Sequence, residues 1–335
     1  MQQDIQYCTT SDGVRLAYAT LGKGSPIVRT SHWFTHIDHE LDSALFRHTL
    51  LGLAHDHRLL RFDARGNGLS QRDVDEISFE RWVSDLESVV DAAGYDQFVL
   101  VGLSQGVPIA IAYAARHPER VSHLILYGGF ARGLLHRGGD PEKLKQSLEL
   151  MCGLMREGWG SEDESHRQFF TSQFMPDSTV EQQHSMNELE RVSATPAVAE
   201  RMLRVSANVN VANLLPKIKV PTLVLHARGD LRVPFVLGQE IAAGISGAKF
   251  VPLEGRNHML LPTDPAFRQF YNAVATFLGD KPTRGALPGT ATFWQRLETT
   301  IGRVERNWFI KLLVILAALT GVVIFFLEMW RLFKH

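Results

Sequence analysis

Two spacings of apolar residues alternate along this chain. Residues 4–20 alternate polar and apolar (DIQY, then VRLAYAT after the Ser11-Asp12-Gly13 turn), the period-two pattern of an antiparallel hairpin at a sheet edge. Short runs that are apolar on both faces follow: PIVRT at 26–30, RLLRF at 58–62, FVLV at 98–101, VSHLILYGG at 121–129, PTLVLHARGD at 221–230 and KFVPLEG at 249–255. Stretches with helical spacing separate them, at about 41–54, 79–90, 107–116, 234–243 and 265–278; the second carries Phe79, Trp82, Val83, Leu86, Val89 and Val90. The polar and aromatic SHWFTHIDHE, 31–40, is expected to be a loop. Continuous apolar strands separated by helices predict a parallel sheet between two helical layers, an α/β fold.

The rhythm breaks between 130 and 216, where only helical stretches occur (142–156, 162–174, 196–207), and then resumes. The pattern predicts an α/β core made of residues 1–129 and 217–278 with a helical cap, 130–216, inserted into it. Residues 279–292 (GDKPTRGALPGTAT) are Gly/Pro/Thr-rich and aperiodic, a linker. Residues 293–307 place Phe293, Leu297, Ile301 and Val304 at helical spacing with Arg296, Arg303 and Arg306 elsewhere, an amphipathic juxtamembrane helix. Residues 312–327 carry no charge, and Trp308 and Trp330 bracket them with aromatic ends; 308–330 is long enough for a transmembrane helix, which needs about 20 residues. Lys311 can snorkel to the headgroups. The charge flanking this segment is heavier on its N-terminal side, so the expectation is a single-pass C-terminal tail anchor with the large domain cytoplasmic. The N-terminus lacks the pattern of a secretory signal.

Composition narrows the function classes. With 335 residues, 45% hydrophobic and 21% charged, the chain is an ordinary globular protein with an appendage. A formal net charge of -1 gives no electrostatic reason to expect nucleic acid. The two cysteines, Cys8 and Cys152, form no CxxC, so neither a metal knuckle nor a disulfide framework is indicated.

The chemistry concentrates at Gly102-Leu103-Ser104-Gln105-Gly106, a GxSxG between an apolar strand and an alanine-rich helix. A serine on a sharp strand-to-helix turn points its hydroxyl off the sheet, and the flanking glycines are needed because a Cβ would strike neighbouring backbone. A serine at such a turn can also merely cap the helix. A serine hydroxyl needs a base to act as nucleophile, and the base needs an acid to fix its tautomer. Asp230 ends the 221–230 strand segment, and His258 lies 28 residues later in GRNHM, in the loop after the last strand. Ser104, Asp230 and His258 in that order are the candidate catalytic residues. An oxyanion would need backbone N–H donors, expected from Gln105 and from the loop after the 26–30 strand, at Trp33 or its neighbour Phe34. Phe34, Trp159, Phe170, Phe174 and Met259 are the candidate substrate pocket, although aromatic and Met residues at helical spacing are more often just core. His32, His36 and His39 with Asp38 and Glu40 invite a metal reading; because a loop is expected there, solvated or supporting histidines are the reading taken, and no metal site is assigned. Asp63, Arg65 and Gly68 in DARGNGLS are expected to form a turn held by a local ion pair beneath the site.

FDARGNGLS, GLSQG, AYAARHPERVSHLILYGG, PTLVLHARGD and VPLEGRNHM together resemble the α/β-hydrolase superfamily over about residues 5–278. RTSHWFTHIDHE, YGGFARG and NELERVSATP look like a bacterial subgroup often fused to nucleotide cyclases or LuxR-type regulators. The resemblance implies an eight-stranded, mostly parallel sheet with a helical cap; Ser104 as nucleophile, Asp230 as acid and His258 as base; and no cofactor. One departure is Ser31-His32-Trp33, where many members carry a His-Gly pair. The function expected is a membrane-anchored serine hydrolase cleaving a carboxylic ester or thioester of a lipophilic small molecule through an acyl-Ser104 intermediate. A ligand-sensing module with slow turnover and an acyltransferase remain the alternatives.

Overall fold

A computed structural model describes residues 2–161 and 163–280. The expected transmembrane helix (308–330), the amphipathic helix (293–307) and all of the linker beyond 280 lie outside the described residues. Among the described residues no helix is long and apolar enough to cross a membrane.

The chain opens with strands β1 (Asp4–Thr9), β2 (Arg15–Gly22) and β3 (Ser25–Arg29), then short helices α1 (Ile37–Asp42) and α2 (Arg47–Leu53). Next come β4 (His57–Phe62), α3 (Phe79–Ala92), β5 (Phe98–Leu103), α4 (Gly106–Arg116) and β6 (Val121–Tyr127). Four helices follow without an intervening strand: α5 (Pro141–Gly158), α6 (Glu164–Phe174), α7 (Val180–Ser193) and α8 (Pro196–Asn208). The core resumes with β7 (Thr222–Ala227), α9 (Phe235–Gly244), β8 (Lys249–Leu253) and α10 (Pro265–Leu278).

The strands form one eight-stranded sheet in the order β1-β2-β4-β3-β5-β6-β7-β8. The β1–β2 and β2–β4 pairs are antiparallel and the other five pairs are parallel. Period two sorts the central strands' side chains. Phe98, Leu100, Leu124, Leu126 and Val224 pack on one face with α3, α4 and α9. Val99, Val101, Ile125, Leu223 and Leu225 pack on the other with α2 and α10. Both faces are covered, which is why these strands show no polar alternation.

The helix expected over 41–54 is instead two, α1 and α2, broken at 43–46, and part of the expected loop at 31–40 is helix α1. Two buried ion pairs explain why α1 sits where it does. Glu40 on α1 is fully buried and accepts from Arg29 at 2.7 Å and Arg61 at 3.1 Å, both rooted in the sheet. A buried carboxylate is tolerated only when so paired. The helical insertion is closed at its base: Arg132 and Asn210 form an isolated antiparallel bridge, flanked by Gly133 N to Val209 O (2.7 Å) and Val211 N to Ala131 O (2.9 Å). The interior of the insertion is continuous with the core face bearing α3, α4 and α9, through Leu148, Cys152, Met155, Met186, Leu189 and Met202.

Candidate active site

β5 delivers Ser104 to the carboxyl edge of the sheet, where open α/β sheets place their ligands. Ser104 has φ +52°, and among the described residues it alone of the non-glycines has positive φ. Its N–H donates to Tyr127 O at 2.9 Å and its carbonyl accepts from Val107 N at 3.0 Å, so both neighbouring elements hold the turn. The flanking glycines are sterically required: a Cβ on Gly102 would lie 2.9 Å from the Ala110 Cβ, and one on Gly106 would lie 2.1 Å from Thr30 Oγ1.

The structure brings the three candidate catalytic residues together. His258 Nε2 is 2.8 Å from Ser104 Oγ, and His258 Nδ1 is 2.8 Å from Asp230 Oδ2. Asp230 follows β7; its Oδ1 accepts the N–H groups of Arg232 (2.8 Å) and Val233 (2.9 Å). Burial acts to raise the Asp230 carboxyl, but His258, His226 and the Val233 N–H together hold it well below the ordinary carboxylate range. It is therefore an anion at neutral pH, able to fix the His258 tautomer with the proton on Nδ1 and to stabilise an imidazolium. Ser104 Oγ can then lose its proton to Nε2.

The loop carrying His258 is fastened from three sides. Tyr127 Oη donates to the His258 carbonyl at 2.9 Å. The N–H groups of His258 and Met259 both donate to Phe174 O, the last residue of α6, at 2.8 and 3.1 Å. Asn257 donates to Asp264, the N-cap of α10, at 2.7 Å and accepts from the Asp177 N–H at 3.0 Å. Gly128, with φ +59°, lies against the imidazole: a Cβ there would be 3.4 Å from His258 Cε1.

Two cavities meet at Ser104. One, of about 80 Å3, is lined by Trp33, Gln105, Phe130, Arg137, Phe174 and Arg232 among others. The second, of about 50 Å3, is more apolar and includes His32, Phe34, Phe46, Phe174, His258 and Met259. Of the expected pocket residues, Phe34, Phe174 and Met259 line the second cavity. Trp159 lines neither; it packs behind the wall, 5.5 Å from the Trp33 ring and 5.4 Å from that of Phe34, with Nε1 donating to Ala194 O. The expectation for Trp159 is corrected accordingly: the ring supports the pocket and does not face it. Phe170 lies in α6, and its side chain is outside the described set. Trp33 and Gln105 share the first cavity with Ser104. Gln105 precedes the first turn of α4, where N–H groups have no intrahelical acceptor.

One further expectation is corrected. Asp63 and Arg65 do not pair. Asp63 accepts the N–H groups of Ile37 and Leu69 at 2.9 to 3.2 Å, whereas Arg65 reaches Asp85 on α3 at 2.6 Å and Asp12 at 2.9 Å. The turn is closed by the Leu69 N–H on Asp63 and is also tied to three distant segments, through Ile37, Asp12 and Asp85. Of the two readings held for the histidines, solvated or supporting, His32 takes the second: it is buried and stacks on Phe46 at 5.6 Å, and burial together with the Arg29 charge pushes its pKa down to about 3, so it is neutral. His36 caps α1 by accepting the His39 N–H at 3.2 Å. Among the described residues no cluster of three or more His, Cys, Asp or Glu could hold a metal ion.

The residue reading missed His226, Tyr127, Arg137 and Arg232. His226 Nε2 lies 3.4 Å from Asp230 Oδ2 and 2.8 Å from Val233 O, buttressing the acid. Its signal was present, a histidine four residues before Asp230 in an otherwise apolar strand.

Comparison with known proteins places the fold. An AB hydrolase superfamily protein of Bacillus subtilis, YisY, is 28% identical over 257 residues, covering 75% of this chain and 91% of that protein. A bifunctional esterase/perhydrolase of Acinetobacter calcoaceticus is 24% identical over 266 residues, covering 77% and 94%. Among solved structures, an esterase from Exiguobacterium antarcticum superposes with a TM-score of 0.69 at 21% identity, over 82% of this chain and 99% of that one. A family model for the alpha/beta hydrolase fold matches residues 35–265, more than half of the sequence, and the chain belongs to that family.

Proposed function

We propose that this protein is a serine hydrolase that cleaves a carboxylic ester or thioester of a small molecule through an acyl-Ser104 intermediate. The observation that carries the reading is the unbroken chain Ser104 Oγ, His258 Nε2, His258 Nδ1, Asp230 Oδ2 with both links at 2.8 Å. Ser104 Oγ attacks the acyl carbon as its proton passes to His258 Nε2. The carbonyl oxygen becomes an oxyanion, held by the backbone N–H groups of Gln105 and Trp33. Collapse expels the alcohol or thiol, which takes the proton from His258. Water, deprotonated by the same nitrogen, then attacks the acyl-enzyme and releases the acid and free Ser104. The esterase named among its relatives supports an ester substrate.

The apolar cavity beside His258 favours a lipophilic group in the substrate. The uncharged run 312–327 supports attachment to a membrane through 308–330, and the heavier positive charge on its N-terminal flank (Arg296, Arg303, Arg306, Lys311) supports a catalytic domain on the cytoplasmic side.

The test is covalent labelling by a fluorophosphonate. The native protein should be labelled, and Ser104→Ala should lose all label and about 10^4-fold or more in kcat with an unchanged thermal melt. A folded native protein that takes no label would refute the reading.

A further inference from the structure

Two arginines that acyl transfer does not require face the cavity beside Ser104. Arg232 packs against the stacked Trp33 and Phe174 rings, its guanidinium carbon 5.4 Å from the Trp33 centroid and 5.2 Å from that of Phe174. Among the described residues its one side-chain hydrogen bond is a long one, 3.4 Å to Gln173 Oε1. Arg137, just after the 3-10 turn Leu134–His136, stacks over Phe130 at 5.1 Å and donates Nε to Arg132 O at 3.1 Å. Neither forms an ion pair with a described side chain. The carboxylates nearest in effect are committed elsewhere: Asp230 to His258, and Glu240 to Arg132 at 3.0 Å.

Two cations share this space. Burial, and for Arg232 the charge of Arg137, pull both down to about 10, so both remain protonated at neutral pH. Partly desolvated like charges held close together, with their nearest carboxylates engaged elsewhere, are costly, and an entering anion relieves that cost. A guanidinium packed against aromatic rings keeps N–H donors that suit a planar acceptor such as a carboxylate.

The chemistry orients the substrate. His258 must return its proton to the leaving oxygen, so the alcohol half belongs on the His258 side, in the apolar cavity with Phe34, Phe46 and Met259. The acyl half then extends into the cavity that holds Gln105, Arg137 and Arg232. At about 80 Å3 that space takes roughly half a dozen water-sized groups, a short chain and no more.

We propose that the substrate is the half-ester of a short dicarboxylic acid with an apolar alcohol, its free carboxylate held by Arg137 and Arg232. This rests on the serine-hydrolase reading for its orientation, and the experiment separates the two. Turnover of monobenzyl glutarate is compared with that of benzyl valerate, of equal acyl carbon count and uncharged, using the full-length protein. The half-ester should have a kcat/KM about tenfold or more above the neutral ester, and Arg232→Met and Arg137→Met should each narrow that ratio to about threefold or less. Binding of monobenzyl glutarate to Ser104→Ala, which needs no turnover, should weaken by about tenfold with either arginine replaced. Free glutarate should inhibit the native protein more strongly than valerate, a readout that needs no folded variant. Equal or better turnover of benzyl valerate, or a preference that survives both substitutions, overturns the proposal. Arginine-dependent binding to Ser104→Ala without fluorophosphonate labelling of the native protein would keep the anion site and discard the hydrolase.

Discussion

Ser104 occupies the left-handed region at φ +52°, a conformation that costs a side-chain-bearing residue on the order of 1–3 kcal/mol. The turn is overdetermined by its bonds to Tyr127 and Val107. Ser104→Gly should therefore raise stability by about 1 kcal/mol relative to Ser104→Ala while both lose labelling, as chemical denaturation of the two variants would show. Gly106→Ala should do the opposite. Its Cβ would meet Thr30 Oγ1 at 2.1 Å and Ser31 O at 2.8 Å, so a loss of about 2 kcal/mol or more is expected in the same assay. Asp230→Asn keeps the shape but favours the wrong tautomer of His258, and kcat should fall about 10^4-fold with KM little changed, read by steady-state kinetics. At this scale the three reacting residues were legible because each stands in a local context, strand-turn-helix for Ser104 and strand-end loops for Asp230 and His258. The partners of Arg65 were not legible: Asp12 and Asp85 are remote in sequence, and adjacency made Asp63 the nearer candidate.

Helix α7 shows what apolar periodicity overlooks. Its buried positions include Gln182, Glu190 and Ser193, so its inward face does not read as an apolar stripe. The available signal was the capping box, Thr179 accepting from Gln182 N at 3.2 Å while Gln182 accepts from Thr179 N at 2.9 Å. Glu190 on this helix is 2% exposed, and burial pushes its carboxyl up to about 8. The sign follows from proton counts. Between the ordinary glutamate pKa and about 8 the folded chain holds a proton that the unfolded chain has released, so stability declines as pH rises through that window. Denaturation midpoints measured from pH 5 to 8 should show Glu190→Gln losing less stability with rising pH than the native protein, by a few kcal/mol across the window. The split of the expected 41–54 helix into α1 and α2 has a related cause. The local pattern is helical throughout, but Glu40 must reach Arg29 and Arg61 under the sheet edge, and that tertiary demand sets the path.

For the whole molecule, the site is a joint product of core and insertion. Phe174, at the end of α6, accepts both N–H groups of the His258 loop, lines both cavities and stacks on Arg232. Movement of the insertion therefore bears directly on the base and on both substrate halves. The membrane proposal belongs to this scale as well. Removing residues 281–335 should leave kcat/KM for a water-soluble ester within about threefold, since the described fold closes its core without them, and should abolish sedimentation of the protein with membranes after carbonate washing. Retention of the truncated chain by membranes would place the attachment elsewhere.

Hydrophobic spacing along the chain was enough to determine a mostly parallel sheet covered on both faces and a helical stretch interrupting its rhythm, and the GxSxG turn with the later Asp230 and His258 marked the candidate chemistry. Those features are local, because strand, turn and helix each write their period or breaker into consecutive residues. Which charges neutralise one another, which aromatic faces the cavity and which stands behind it, and that two arginines converge beside Ser104, only the tertiary structure decided. Such contacts join side chains far apart in sequence, and the packing that joins them leaves no periodic trace in the chain.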